Sequence, residues 1–176
     1  MAEEKEKWQG WLALSMAIVA VMAALTTLYM GKYSSRAIMA QGQESDQWAF
    51  YQAKSIKQHS FEMSRKALEL QYHSQKSLPP HVAADYEKTL AKYGEEIKRY
   101  EVEKKDIKDK ADAIAKTKLK AQEMGGNFAY ALIFLQIAIM LSSLASLTKR
   151  HYLWYIALGC NLGWMYFFLD AWLLFR

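Results

Sequence analysis

The chain has 176 residues, with 23 Lys and Arg against 18 Asp and Glu. It is 52% apolar, yet its mean hydropathy is −0.17, so apolar and charged residues must be segregated along it. Between Gly31 and Gly125 lie 18 of the basic and 14 of the acidic residues, too balanced a mixture for a nucleic-acid surface. The one cysteine, Cys160, sits in an apolar stretch, which excludes a disulfide framework and a paired-thiolate metal site.

Residues 1–10 form a mixed-charge tail, and Trp11 to Met30 is an uncharged run. At 1.5 Å per residue, about 20 residues cross the ~30 Å hydrocarbon core, so this run predicts a first transmembrane helix. It is long for a signal-peptide core and its leader is not cleanly basic, so a retained anchor is expected. Trp8, Trp11, Tyr29 and Tyr33 at its ends suit the interfacial aromatic belt.

Residues 31–125 predict two long helices about a corner at 78–81, because Pro79-Pro80 cannot continue a helix and restricts the residue before it. In the first arm, Ala49, Ala53, Ile56, Ser60, Met63, Ala67, Leu70 and Ser74 follow four-three spacing. In the second, Leu90, Tyr93, Ile97, Tyr100, Lys104, Ile107, Ala111, Ile114, Lys118 and Ala121 do the same. This spacing predicts a coiled-coil-like antiparallel hairpin. Its seam is thin, so a hairpin standing alone is marginal and a homo-oligomer with bundled inserts is expected. Gly125-Gly126 reads as a joint before the second span.

Residues 127–147 and 152–175 predict the second and third transmembrane helices. The linker Thr148-Lys149-Arg150-His151 is so short that these spans must be antiparallel neighbours. The fold class is therefore all-α, three transmembrane helices with a long helical hairpin inserted between the first and second. Lys149 and Arg150, with Lys5 and Lys7, favour a cytoplasmic N-terminus and an extracytoplasmic insert, against Lys32, Arg36, Lys116, Lys118 and Lys120 on the insert side.

Three polar residues fall within spans. Gln136 and Asn161 lie at similar depth, where a hydrogen bond between them competes with a polar conduction path. Asp170, near the end of the third span, suggests pairing with Lys32 or Arg36, or interfacial exposure. Gly159 and Gly163 are spaced for close helix approach, and Ala13, Ala17, Ala20 and Ala24 form a comparable strip; both suit packing within a subunit or between subunits. His59, His73, His81 and His151 have neither the spacing nor the company of metal ligands. With no phosphate loop, triad or paired carboxylates, no cofactor, catalytic residue or enzyme activity is expected.

The segment from Asp46 to Gln58 carries Trp48, Tyr51, Gln52, Lys54 and Lys57 in close succession. With the apolar leader and the hairpin segment from Leu147 to Trp154, it resembles domain of unknown function 4337, a family of small bacterial membrane proteins. The resemblance implies a three-span layout in a bacterial inner membrane and supplies no activity. By its residues, the cluster of Trp48, Tyr51, Lys54 and Lys57 places cations beside aromatic rings, either as an oligomer or partner contact or as packing within the hairpin. The leading expectation is a self-assembling structural or interaction protein of the membrane. The alternatives are an oligomeric channel and an accessory subunit of a larger membrane complex with a separate protein partner.

Overall fold

The computed structural model describes residues 2–75 and 79–173. They form three α-helices: α1 (Ala2–Ser74), α2 (Pro80–Thr148) and α3 (His151–Leu173). Each is long and apolar enough to cross a membrane, and no strand occurs among the described residues. Met1, Leu78 of the expected corner, and Leu174 and Phe175 of the expected third span lie outside them.

The two chain reversals have local causes. Proline is tolerated in the first helical turn, where its missing N–H leaves no bond unmade. Pro80 starts α2, and the carbonyl of Pro79 accepts from the amides of Val82 (3.0 Å) and Ala83 (3.1 Å). Between α2 and α3 only Lys149 and Arg150 are non-helical, and Lys149 turns the chain with φ of 56°. Gly125 and Gly126 make no joint, since α2 runs through both. At Gly125 the helix lies close to Ser34 and Tyr33, whose atoms would stand 3.6–3.8 Å from an added Cβ, at ordinary van der Waals contact.

By contacts the chain divides into two compact units, Met1–Met39 with Thr117–Arg176, and Ala40–Lys116. In the first, α1 buries Leu12, Val19, Thr26 and Tyr33, each seven residues after the last. Helix α2 buries Ala121, Met124, Phe128, Ala131, Leu135, Ala138, Ser142 and Ala145 at alternating three-four spacing. That heptad pattern keeps one stripe facing its neighbours, and its small residues let backbones approach closely. Against α3, Asn127 meets Asp170, Tyr130 meets Phe167 and Phe134 meets Gly163. Each step along α2 is matched by an opposite step along α3, so the two are antiparallel neighbours.

In the second unit, Tyr51 pairs with Lys104, Lys54 with Glu103, Phe61 with Tyr93 and Tyr100, and Tyr72 with Tyr86. Partner numbers fall as α1 numbers rise, so these stretches also run antiparallel. The second-arm stripe faces inward: Tyr100 and Ala111 are buried, and Tyr93, Ile97, Lys104 and Ile107 are half-buried. The first-arm stripe does not. All eight of its residues, Ala49 to Ser74, are exposed. The stripe that faces α2 is instead Gln47, Tyr51, Lys54, Gln58, Phe61, Leu68 and Tyr72. It lies two residues out of step, about 200° around the helix. The sequence reading took the more apolar stripe, whereas aromatic and charged groups with matching partners on α2 select the opposite one.

Candidate interaction sites

Two indole–hydroxyl bonds tie α3 to α1. Trp154 Nε1 donates to Ser15 Oγ at 3.1 Å, and Trp164 Nε1 donates to Thr26 Oγ1 at 3.0 Å. Each hydroxyl donates onward to its own helix, Ser15 to Leu12 O and Thr26 to Met22 O, both at 2.8 Å. A buried polar group in an apolar setting is costly unless bonded, so each pair also fixes the rotation of one helix against the other. Trp154, at a span end, reads in the sequence as an ordinary interfacial residue, and nothing in the spacing marks out Trp164 near the middle of the span.

Asp170 is exposed, and its side-chain partner is Asn127 rather than Lys32 or Arg36. Asn127 Nδ2 donates to Asp170 Oδ2 at 2.7 Å, while the Lys32 ammonium lies 5.7 Å from the Tyr33 ring centroid. Nearby, Tyr29 and Tyr33 both stack on Phe128, and Phe168 meets Phe128 edge-on. The antiparallel count across the short hairpin would have revealed Asn127, since it puts 127 level with 170.

The same count puts Gln136 level with Asn161, yet the structure does not join them. Gln136 is two residues beyond Phe134, on the far side of α2, and is exposed. Asn161 Nδ2 donates to Ala157 O at 3.2 Å, and its Oδ1 is buried with no hydrogen-bond partner. Gln136, Asn161 and Asp170 therefore occupy three separate environments.

The two glycines also separate. A Cβ at Gly163 would lie 2.7–3.0 Å from ring atoms of Phe134, so this glycine lets α3 seat against α2 within one chain. Gly159 is exposed and meets nothing within 4 Å. Ala13, Ala17, Ala20 and Ala24 are likewise exposed, so their strip is not part of the packing within one chain.

Within residues 40–116, Tyr51 and Lys54 point into the helix pair. Lys54 Nζ is 2.6 Å from Glu103 Oε2 and 5.4 Å from the Tyr100 ring centroid, while Lys104 lies 5.4 Å from that of Tyr51. These cation–aromatic contacts are thus made crosswise between the two helices. Lys54 holds the Glu103 carboxyl below its ordinary pKa, mainly by a side-chain hydrogen bond and then by its charge. Trp48, in edge contact with Tyr51 at 5.6 Å between centroids, is exposed, as is Lys57.

Cavities are shallow. One of about 370 Å³, beside Gly125 and Gly126, has no ionisable lining, and one of about 220 Å³ holds Arg36 and Lys120. Neither gathers the convergent polar groups of an enclosed ligand site.

Fold and contacts together define a class, an all-helical chain with three helices long and apolar enough to cross a membrane. A family model described as domain of unknown function (DUF4337) matches residues 8–174, and the chain belongs to that family. No curated protein and no solved structure matches it.

Proposed function

We propose that the chain is a self-assembling integral protein of a bacterial inner membrane with a structural or interaction role and no catalytic one. In this reading residues 31–125 are a coiled-coil-like helical hairpin inserted between the first and second spans. The N-terminus is cytoplasmic and the insert extracytoplasmic.

The observation that carries the reading is the shallow core of residues 40–116. Among their described residues only Ala40, Tyr100 and Ala111 are buried hydrophobics. The other unit buries Leu12, Phe128, Leu135 and a run of alanines, and satisfies its tryptophan indoles at 154 and 164 internally. Long helices derive most of their stability from packing, so the hairpin gains by pairing with further helices. The separation of Gln136, Asn161 and Asp170 weighs against a conduction path shared by the three within one chain.

Mild solubilisation followed by mass measurement tests the reading. A particle of several 20.3 kDa copies is expected. A clean monomer contradicts self-assembly, and a particle holding a second kind of chain favours the accessory-subunit alternative.

A further inference from the structure

The face of α1 turned away from α2 is an apolar seam with no partner among the described residues. Its large members, Ile56, Met63 and Leu70, are 67%, 59% and 65% exposed, and they recur every seven residues. Midway between them stand small residues, Ser60 and Ala67, preceded by Ala49 and Ala53. Four-three alternation over this length is the pattern by which one helix packs along another in a left-handed coiled coil. Single exposed apolar residues need no explanation, but a continuous stripe in register does.

We propose that this seam binds the same seam of a second copy, parallel and in register, about a two-fold axis. The inference rests on the self-assembly reading and specifies the surface that performs it. The flanking residues choose the occupant. Beside the seam stand Lys57 and Lys66 with His59, and none of the flanking positions from Phe50 to His73 carries a carboxylate. In a parallel pair a residue on one flank (Gln52, His59, Lys66) faces the residue five positions further along on the partner's other flank (Lys57, Ser64, Gln71). Lys57 then faces Gln52 and Lys66 faces Gln71, so each lysine meets a neutral amide whose oxygen accepts a hydrogen bond. Copies anchored by the same spans also enter the seam from the same end, which only the parallel arrangement satisfies.

The pairing is isologous, as two-fold contacts are: Ile56 meets Ile56, Met63 meets Met63 and Leu70 meets Leu70. Tyr51, Lys54 and Phe61 remain committed to α2 on the opposite face.

The test is cysteine cross-linking of the full chain in membranes, with Cys160→Ser as background. Ile56→Cys, Met63→Cys and Leu70→Cys, oxidised with copper phenanthroline, are expected to give covalent dimers in each case. Val102→Cys, equally exposed but on α2, is expected to give less than a tenth as much. Dimers at only one of the three α1 positions indicate an antiparallel crossing and overturn the proposal. So does cross-linking to a different protein. The mass of the unmodified particle separates the two levels of the argument. An oligomer without seam cross-links refutes this surface alone, whereas a monomer refutes the self-assembly on which it rests.

Discussion

Residues 1–39 with 117–176 and residues 40–116 use the same helical period with opposite chemistry. In the first, the buried positions of α2 alternate Phe128, Leu135 and Ser142 with Ala131, Ala138 and Ala145, and contact is close enough to require Gly163 against Phe134. In the second, the inward stripe is tyrosine, lysine, glutamine and phenylalanine, mostly half-buried, with apolar stems covered and polar tips in reach of a partner. In lipid, where apolar contact alone gives little preference for protein over solvent, association comes from tight packing and a few hydrogen bonds. In water the driving force is removal of apolar surface, and long amphipathic side chains supply it while keeping their charges hydrated. The heptad spacing is therefore uninformative about environment, and the residue types filling it decide.

That contrast is open to attack by substitution. The largest effect is expected where packing is tightest. Gly163→Leu forces its side chain into the Phe134 ring and should destabilise the fold by about 1–3 kcal/mol, read as a lower thermal midpoint in detergent. Gly159→Leu, with open space, should change it little. If the two variants behave alike, the close-packing account of α2 and α3 fails.

Phe61→Ala removes the ring that touches both Tyr93 and Tyr100. The site is half-exposed, so the cost should be about 2 kcal/mol, below the range for fully buried phenylalanine. Hydrogen exchange should then speed up roughly 30-fold across residues 54–104 and little in the other unit. Uniform acceleration along the chain would deny that the two units differ in cooperativity.

Asn127→Ala leaves the Asp170 carboxylate without its bonded donor and should cost about 0.6–2 kcal/mol by thermal midpoint. A midpoint equal to that of the unmodified protein would mean water replaces the amide there.

The smallest effect is a response to acid. Because Lys54 lowers the Glu103 pKa on folding, the paired state is fully favoured above the ordinary value of 4.5 and is lost as pH falls through the lower folded value. Protection of amides near residue 103, corrected for intrinsic exchange, should be flat from pH 7 to 5 and decline below 4.5. Glu103→Gln should remove part of that decline, and an identical profile in both proteins would contradict the pairing.

The sequence made the helices and their reversals legible because Pro79-Pro80 and the four-residue linker at Thr148–His151 leave the chain few options. It also revealed the depth of polar residues in the hairpin of α2 and α3, since equal counts from a tight turn mean equal height. It did not reveal rotation. Gln136 and the stripe from Ala49 to Ser74 each lie two residues from the position that faces the partner, and two residues turn a helix side chain to the opposite face. For α1 the choice depended on partners far along the chain, Tyr100, Glu103 and Lys104, which apolarity on a single helix does not report. The bonds from Trp154 to Ser15 and from Trp164 to Thr26 were hidden for the same reason.

The central claim is that two span-capable runs flank residues 40–116 and a third follows a tight reversal. Impermeant-maleimide labelling in intact cells, in a Cys160→Ser background, tests it most directly. The account predicts that Gln43→Cys labels from outside and that Lys149→Cys labels only after the membrane is opened. Labelling of both from the same side, or release of the protein by alkaline wash, would contradict it.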